Sequence, residues 1–252
     1  MAADSGVSPF KRTQEHRVGP PGWELARVIG AVGHLLIPVL MYYVLYEGWL
    51  LEVFAKTTWS GELVELSPER KTLYMALCSF YCLRWSFGIM TMLGTVDLSM
   101  GFMLPIMGGL VFHTLTYIMG SMGAFWSPVA SYELTSRDYV AAAMMVVAGI
   151  LQHGGEAQRW WFKRNPAHKG QLHTTGLFAY ARFINHTGHV LNDFSICLFV
   201  PNIGFMLLAL SVVYQLWFMV TPETVEHMKS KYGSKYEDYA KKTPSLFIPG
   251  IY

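Results

Sequence analysis

Formal charge is the scarcest property of this sequence. Acids and bases together make up 14% of 252 residues, 19 Lys and Arg against 17 Asp and Glu, where a soluble domain carries about 25%. So few charges, gathered in clusters, exclude an ordinary soluble enzyme, and 52% hydrophobic residues exclude a disordered chain. A net charge of +2 is too small for a nucleic-acid footprint. Cysteine is nearly absent. Cys78, Cys82 and Cys197 sit in apolar stretches, and an odd number in such places is no disulfide framework. There is no Gly-rich nucleotide loop, no H-E-x-x-H or C-x-x-C metal pattern, no internal repeat and no low-complexity tract.

What is there is a series of long apolar runs. Residues 28–46, 98–132, 139–155 and 194–222 carry no formal charge, and 72–96 carries only Arg84. A helical crossing needs about 20 apolar residues, and open sheet edges cannot be satisfied in lipid. The expectation is an all-α integral membrane protein of about six transmembrane helices, near 24–47, 72–93, 98–120, 138–155, 187–200 and 203–220. A polar tail, 1–23, precedes a single transmembrane domain, 24–252. Pro201 and Asn202 break the last two helices into a hairpin, and an amphipathic tail follows. The N-terminal stretch has no apolar run of the kind that marks a signal peptide.

Fourteen of the 19 basic residues lie in three places. Lys11, Arg12, Arg17 and Arg27 precede or open the first helix. Arg159, Lys163, Arg164, Lys169 and Arg182 lie between the fourth and fifth. Lys229, Lys231, Lys235, Lys241 and Lys242 are in the tail. With six crossings these fall on one side, and Glu47, Glu52, Glu62, Glu65 and Glu69 on the other, so the positive-inside rule puts both termini on the cytosolic side.

Chemistry gathers in residues 152–252, where polar groups crowd the membrane boundary. Ionisable groups inside or near the spans cost about 2.5–3.5 kcal/mol each on insertion scales, so they face a protein cavity. Asn185, His189 and Asn192, with Asp193, share one face of the fifth helix, and Gln152 and Glu156 are four apart at the end of the fourth. Two polar faces joined by a basic loop suggest one cavity open to the cytosol. The loop cations equally suit lipid head groups, and His189 with Asp193 equally suits an interhelical pair. His34 and His113, single residues in apolar helices, read as structural. The Met-rich helices suit packing or a lipid-tail groove.

The run EAQRWWFKRNPAHKGQLHTTGLFAYARFINHTGH, followed by an apolar hairpin and KYGSKYEDYAKKTPSLFIPGIY, resembles the C-terminal part of the steroid 5-alpha-reductase superfamily. More distantly it is similar to sterol reductases and to isoprenylcysteine carboxyl methyltransferases. The resemblance covers about the last 100 residues, with a C-L-R-W helix at Cys82 to Trp85 as the one further match. It implies a membrane-embedded NADPH-dependent reductase acting on a C=C bond conjugated to a carbonyl in a steroid, sterol or enoyl lipid. The endoplasmic reticulum is the expected membrane.

In the pattern G-L-x-x-Y-x-R-H-x-N-Y-x-G-[DE], Gly176, Leu177, Tyr180, Arg182, Asn185 and Gly188 fall in place. Gln152, Glu156, Lys163, Arg182, Asn185, Asn192, Asp193, Lys231, Lys235, Tyr236 and Tyr239 are the implied cofactor-binding residues. Tyr81, Tyr117 and His189 are the catalytic candidates, and no metal is expected. Three positions depart from the pattern: Phe183 stands for His, His186 for Tyr and His189 for an acid. They motivate a second reading, a degenerate reductase-like subunit of a membrane complex. The shared ending motivates a third, an S-adenosylmethionine-dependent methyltransferase of a lipid thiol or amine.

Overall fold

The computed structural model describes residues 23–49, 51, 65–91, 110–111, 113–118, 132–201 and 203–251. Among these there is no strand, and helix dominates. Four stretches are long and apolar enough to cross a membrane: Val28–Glu47, Pro68–Met90, Ser136–Arg164 and Ile203–Tyr232. The expected tail before residue 23 and most of the expected span 98–120 lie outside the described residues. Of that span, 110, 111 and 113–118 are helical.

Helix α1 (Trp23–Glu47) packs along α2 (Pro68–Thr91). Its buried face carries Ile37, Met41, Val44 and Leu45 at helical spacing, while Val32, Leu36, Val39 and Tyr43 are exposed on the other side. Exposed apolar side chains on so hydrophobic a helix are the lipid-facing surface of a membrane protein. The buried face meets Tyr74, Leu77, Cys78 and Tyr81 of α2. α2 opens on Pro68, whose missing N–H costs nothing at a first helical position, and the Ser67 hydroxyl accepts from the Arg70 N–H at 3.2 Å.

α3 (Ser136–Gly149) begins with a capping box. Asp138 accepts from the Thr135 N–H at 2.8 Å and from its hydroxyl at 2.7 Å. The other Asp138 oxygen pairs with Arg70 at 3.1 Å, with both side chains buried. The Ser67 N–H also donates to the Tyr132 carbonyl at 2.8 Å. The starts of α2 and α3 are therefore joined at the same end of the bundle. α3 continues through a π turn (Ile150–Gly154) into α4 (Gly155–Arg164), so this helix outruns the expected end at 155.

α5 (Ile184–Phe199), 16 residues long, runs against α3 in the opposite sense. The closest approach is at Gly188, where a Cβ would lie 2.6 Å from the Ala148 carbonyl oxygen and 2.9 Å from Gln152 Cα. Glycine is the residue that lets the two backbones cross here. Val200 and Pro201 end α5, and α6 (Ile203–Tyr214) turns back against it, as the hairpin reading requires. A second π turn (Gln215–Val220) carries α6 into α7 (Thr221–Tyr232), beyond the expected end at 220. After Gly233, at φ +54, α8 (Ser234–Lys242) forms the amphipathic tail, with Tyr236 and Tyr239 buried and its lysines exposed.

Candidate functional site

The π turn in α3 places Gln152 against α5, and π turns recur at functional sites because they re-aim side chains. One turn later, Glu156 accepts a hydrogen bond from Asn185 at 2.8 Å and pairs with Arg159. The two polar faces predicted from spacing thus meet in one seam. Gln152 is buried, and its Oε1 has no hydrogen-bond partner among the described residues. An unpaired acceptor inside an apolar bundle costs about 1–3 kcal/mol, a cost that a bound donor would remove.

Beyond the seam, Arg159 of α4 and Lys231 of α7 each lie close enough to Lys163 of α4 to act on it electrostatically. Tyr232 and His173 lie beside them. Burial, with Arg159, Lys163 and His168 nearby, holds His173 below its ordinary value of 6.5. Three cations from segments some 70 residues apart, with Glu156 the one carboxylate beside Lys163 among the described residues, make a basin that attracts anions. The loop under the basin is held by Gln158, whose Oε1 accepts from the Leu177 N–H at 2.9 Å. A side chain on Gly176, at φ +63, would collide with that amide.

The tail closes over this loop by a run of specific hydrogen bonds. The Arg182 and Phe183 N–H groups donate to the Ser245 and Leu246 carbonyls at 3.0 and 2.7 Å. The Thr187 hydroxyl donates to the Phe247 carbonyl at 2.8 Å, and the Tyr239 hydroxyl to the Phe178 carbonyl at 2.6 Å. Burial pushes the Tyr239 phenol up from its ordinary range, so it stays protonated and holds that bond. Arg182 donates to the Tyr236 oxygen and the Pro244 carbonyl, each at 3.1 Å. Its Nε is buried with no hydrogen-bond partner among the described residues. Arg182, Lys229, Tyr236 and Lys241, with the Glu237 carboxylate, line a cleft of about 440 Å³.

Deeper in the bundle lies a second polar group of residues. The Tyr81 hydroxyl is 3.0 Å from His113 Nε2, His113 Nδ1 is 3.0 Å from His34 Nε2, and His34 Nδ1 is 2.7 Å from the Gly30 carbonyl. Trp85 packs on this chain and on the seam alike, its ring within about 6 Å of His34, His113, His153 and His189. Arg84 lies over the Phe80 ring and approaches His153 Nδ1 at 3.4 Å. It fits against α3 because Gly149 has no side chain, and its Nε and Nη2 are buried with no hydrogen bond to the described residues. His189 pairs with Asp193 at 3.8 Å, and Asn192 is fully buried beside Tyr117.

A family model described as "Protein of unknown function (DUF1295)" matches residues 109–243, more than half of the chain. The chain belongs to this family. The family lies in the steroid reductase-like superfamily. A protein of Acanthamoeba polyphaga mimivirus, described as "Probable 7-dehydrocholesterol reductase", is 22% identical over 234 residues, covering 88% of this chain and 46% of its own length. The chain thus spans about half the length of that curated relative.

The matched residues contain the seam, the basin and α8, but not Tyr81 or His34. Of the residues expected from sequence, Gln152, Glu156 and Asn185 converge on the seam, Lys163 and Lys231 on the basin, and Arg182 and Tyr236 on the cleft. Tyr239 anchors the tail. Asn192, Asp193, His189, Tyr81 and Tyr117 lie in the deeper group. Lys235 is exposed on α8 and lines neither basin nor cleft. Two of the three departures from the pattern face the tail. Phe183 packs near Phe247, and His186 Nδ1 lies 3.1 Å from the Thr221 hydroxyl. His189, the third, faces the deeper group, beside Asp193 and the Trp85 ring. Arg159, His173, Lys229 and Lys241 join the site without having been selected from sequence, as does Arg84. Their signal was positive charge near the boundary, which head-group contacts explain equally well.

Proposed function

We propose that the protein is a membrane-embedded, NADPH-dependent reductase of a C=C bond conjugated to a carbonyl in a lipid-like substrate of steroid, sterol or enoyl type. The observation that carries this reading is the cationic basin, built from α4 and α7, beside a polar seam whose buried acceptor has no donor among the described residues. The donor set suits a dinucleotide phosphate. Arg159, Lys163 and Lys231 would neutralise one phosphate charge, and Arg182, Lys229 and Lys241 another. A forked guanidinium matches phosphate geometry better than an ammonium does. Gln152 Oε1 would accept from an amide or hydroxyl of the cofactor. Asn185 is held toward the same place by Glu156.

When bound, the cofactor supplies hydride, and the protein's task is to position, polarise and exclude water. Arg84 has two donors without a partner among the described residues to offer an oxygen of a ligand. Tyr81 is the acid that protonates the substrate carbonyl oxygen. The apolar helices keep water out and admit the substrate laterally from the bilayer. In the proposed arrangement both termini face the cytosol, where NADPH is drawn from, and the membrane is the endoplasmic reticulum.

The replacement of an acid by His189 favours a second reading, a reductase-like subunit that has lost its chemistry and serves a membrane complex. One titration separates the readings. Purified in detergent, the protein is expected to bind NADPH, with binding lost in Arg182→Ala and Asn185→Ala. Binding of S-adenosylmethionine alone would favour the methyltransferase, and binding of neither the subunit.

A further inference from the structure

Gly30 fixes the direction of the buried chain. Its carbonyl oxygen has only lone pairs, so His34 Nδ1, at 2.7 Å, carries the hydrogen. Neutral His34 then presents a lone pair at Nε2, and His113 Nδ1, at 3.0 Å, must donate to it. His113 Nε2 is left as an acceptor, and the Tyr81 hydroxyl, at 3.0 Å, gives it its one hydrogen. Each contact is satisfied without net charge, which suits an apolar bundle. Yet in this state the Tyr81 hydrogen is directed at His113 and away from any ligand.

The geometry points to a one-proton switch: a single extra proton on the His34–His113 pair reverses the chain at Tyr81 and turns its hydroxyl into a donor toward the substrate carbonyl. If His113 takes the proton, its Nε2–H donates to the Tyr81 oxygen and frees the hydroxyl hydrogen. If His34 takes it, His34 Nε2–H faces His113 Nδ1. His113 then carries its hydrogen on Nε2, and the result at Tyr81 is the same. A second proton is excluded, because two imidazolium nitrogens cannot face each other at 3.0 Å. Among the described residues, His189 of α5 acts on His113, while Cys82 and Arg84 of α2, Asp193 of α5 and Tyr117 surround Tyr81, and His153 of the π turn lies across Trp85. Asp193 is the one carboxylate among them and favours the charged pair, while Arg84 and any charge on His189 oppose it.

The acceptor's identity rests on the reductase reading. Once the substrate carbon has accepted hydride, the Tyr81 O–H bond breaks and an O–H bond forms on the enolate oxygen. The His113 Nε2 proton moves to the Tyr81 oxygen, and the pair returns to neutral, to be reloaded from water. One hydride and one proton are consumed. His34 and His113 are thus positioning residues that act through Tyr81.

The test is the ring ¹⁵N spectrum of histidine-labelled full-length protein in detergent, without cofactor, from about pH 8 to about pH 5. At high pH both rings should be neutral with hydrogen on Nδ1, the tautomer free histidine disfavours. On acidification both should move together with one midpoint and one proton. Tyr81→Phe should leave the tautomers unchanged, because Gly30 sets them. His34→Gln, whose amide can keep both hydrogen bonds but takes no proton, should leave His113 titrating alone with a shifted midpoint. An Nε2–H tautomer on either ring at high pH, two independent protonations, or an unshifted midpoint in His34→Gln would overturn the switch. Failure of the wild type to bind NADPH overturns the reductase reading and leaves the tautomer result to decide the switch.

Discussion

Gly188 is where the seam is most sensitive to a single methyl group. In Gly188→Ala the new Cβ meets backbone on α3, first the Gln152 nitrogen and then the Ala148 carbonyl oxygen at 2.6 Å, where ordinary contact begins at 3.4 Å, so the helices must part by about 1 Å. Backbone cannot rotate away as a side chain can, so the cost belongs at the upper end of the roughly 1–3 kcal/mol typical of overpacking. Alanine's better helix propensity returns about 1 kcal/mol. The net loss of about 2 kcal/mol corresponds to a fall of about 4–8 °C in melting temperature for a domain of this size. The shift also separates Gln152 on α3 from Asn185 and His189 on α5, so NADPH affinity is expected to fall about tenfold, or about 1.4 kcal/mol. Gly154→Ala is the matched control. Its Cβ would lie 3.7 Å from Leu177 Cδ1, an ordinary contact, and it should be neutral or slightly stabilising. Thermal unfolding in detergent and calorimetric NADPH titration read both variants. A Gly188→Ala protein as stable as wild type, or a Gly154→Ala protein equally damaged, would refute the close-crossing argument.

Three further outcomes follow from other parts of the fold. Asp138→Ala removes the carboxylate partner of buried Arg70 and the α3 cap together, and should cost about 3–5 kcal/mol in denaturant unfolding, while Arg70→Met with Asp138→Leu should cost far less. Lys163→Ala and Lys231→Ala should each weaken NADPH binding and flatten its salt dependence, because each removes one charge from the basin. His173 is held below 6.5 by burial and neighbouring cations, so the folded state binds its proton less readily than the unfolded chain. Stability should therefore decline as pH falls below about 6.5 toward the lowered folded value, and His173→Gln should remove that part of the decline.

The membrane architecture was legible because lipid imposes long charge-free runs, and those runs locate α1, α2, α3 and α6. The helix ends were not, since charge marks where lipid stops and says nothing about where the backbone hydrogen bonds stop. Both π turns carry the helix past that boundary, to Arg164 and to Tyr232. Within the site, helical spacing groups Gln152 with Glu156 on one face and Asn185 with His189 and Asn192 on another, and the structure joins the two faces at Glu156 and Asn185. The His34–His113–Tyr81 chain could not, because its members are 79 and 32 residues apart and no periodicity links three separate helices. Phe183 and His186 looked like losses from a cofactor motif. Their contacts with Phe247 and Thr221 place them at the junction of α5 with the tail, where they serve packing.

The central claim is hydride delivery into a lipid. Membranes containing the protein, supplied with NADPH deuterated at the transferable C4 position and a panel of steroid, sterol and enoyl compounds with a conjugated C=C bond, test it by mass spectrometry. The account predicts a saturated product carrying one deuterium, formed by wild type and greatly reduced in Tyr81→Phe and Arg182→Ala. NADPH bound by wild type with no deuterium in any product of the panel, or product formation undiminished in both variants, would contradict it.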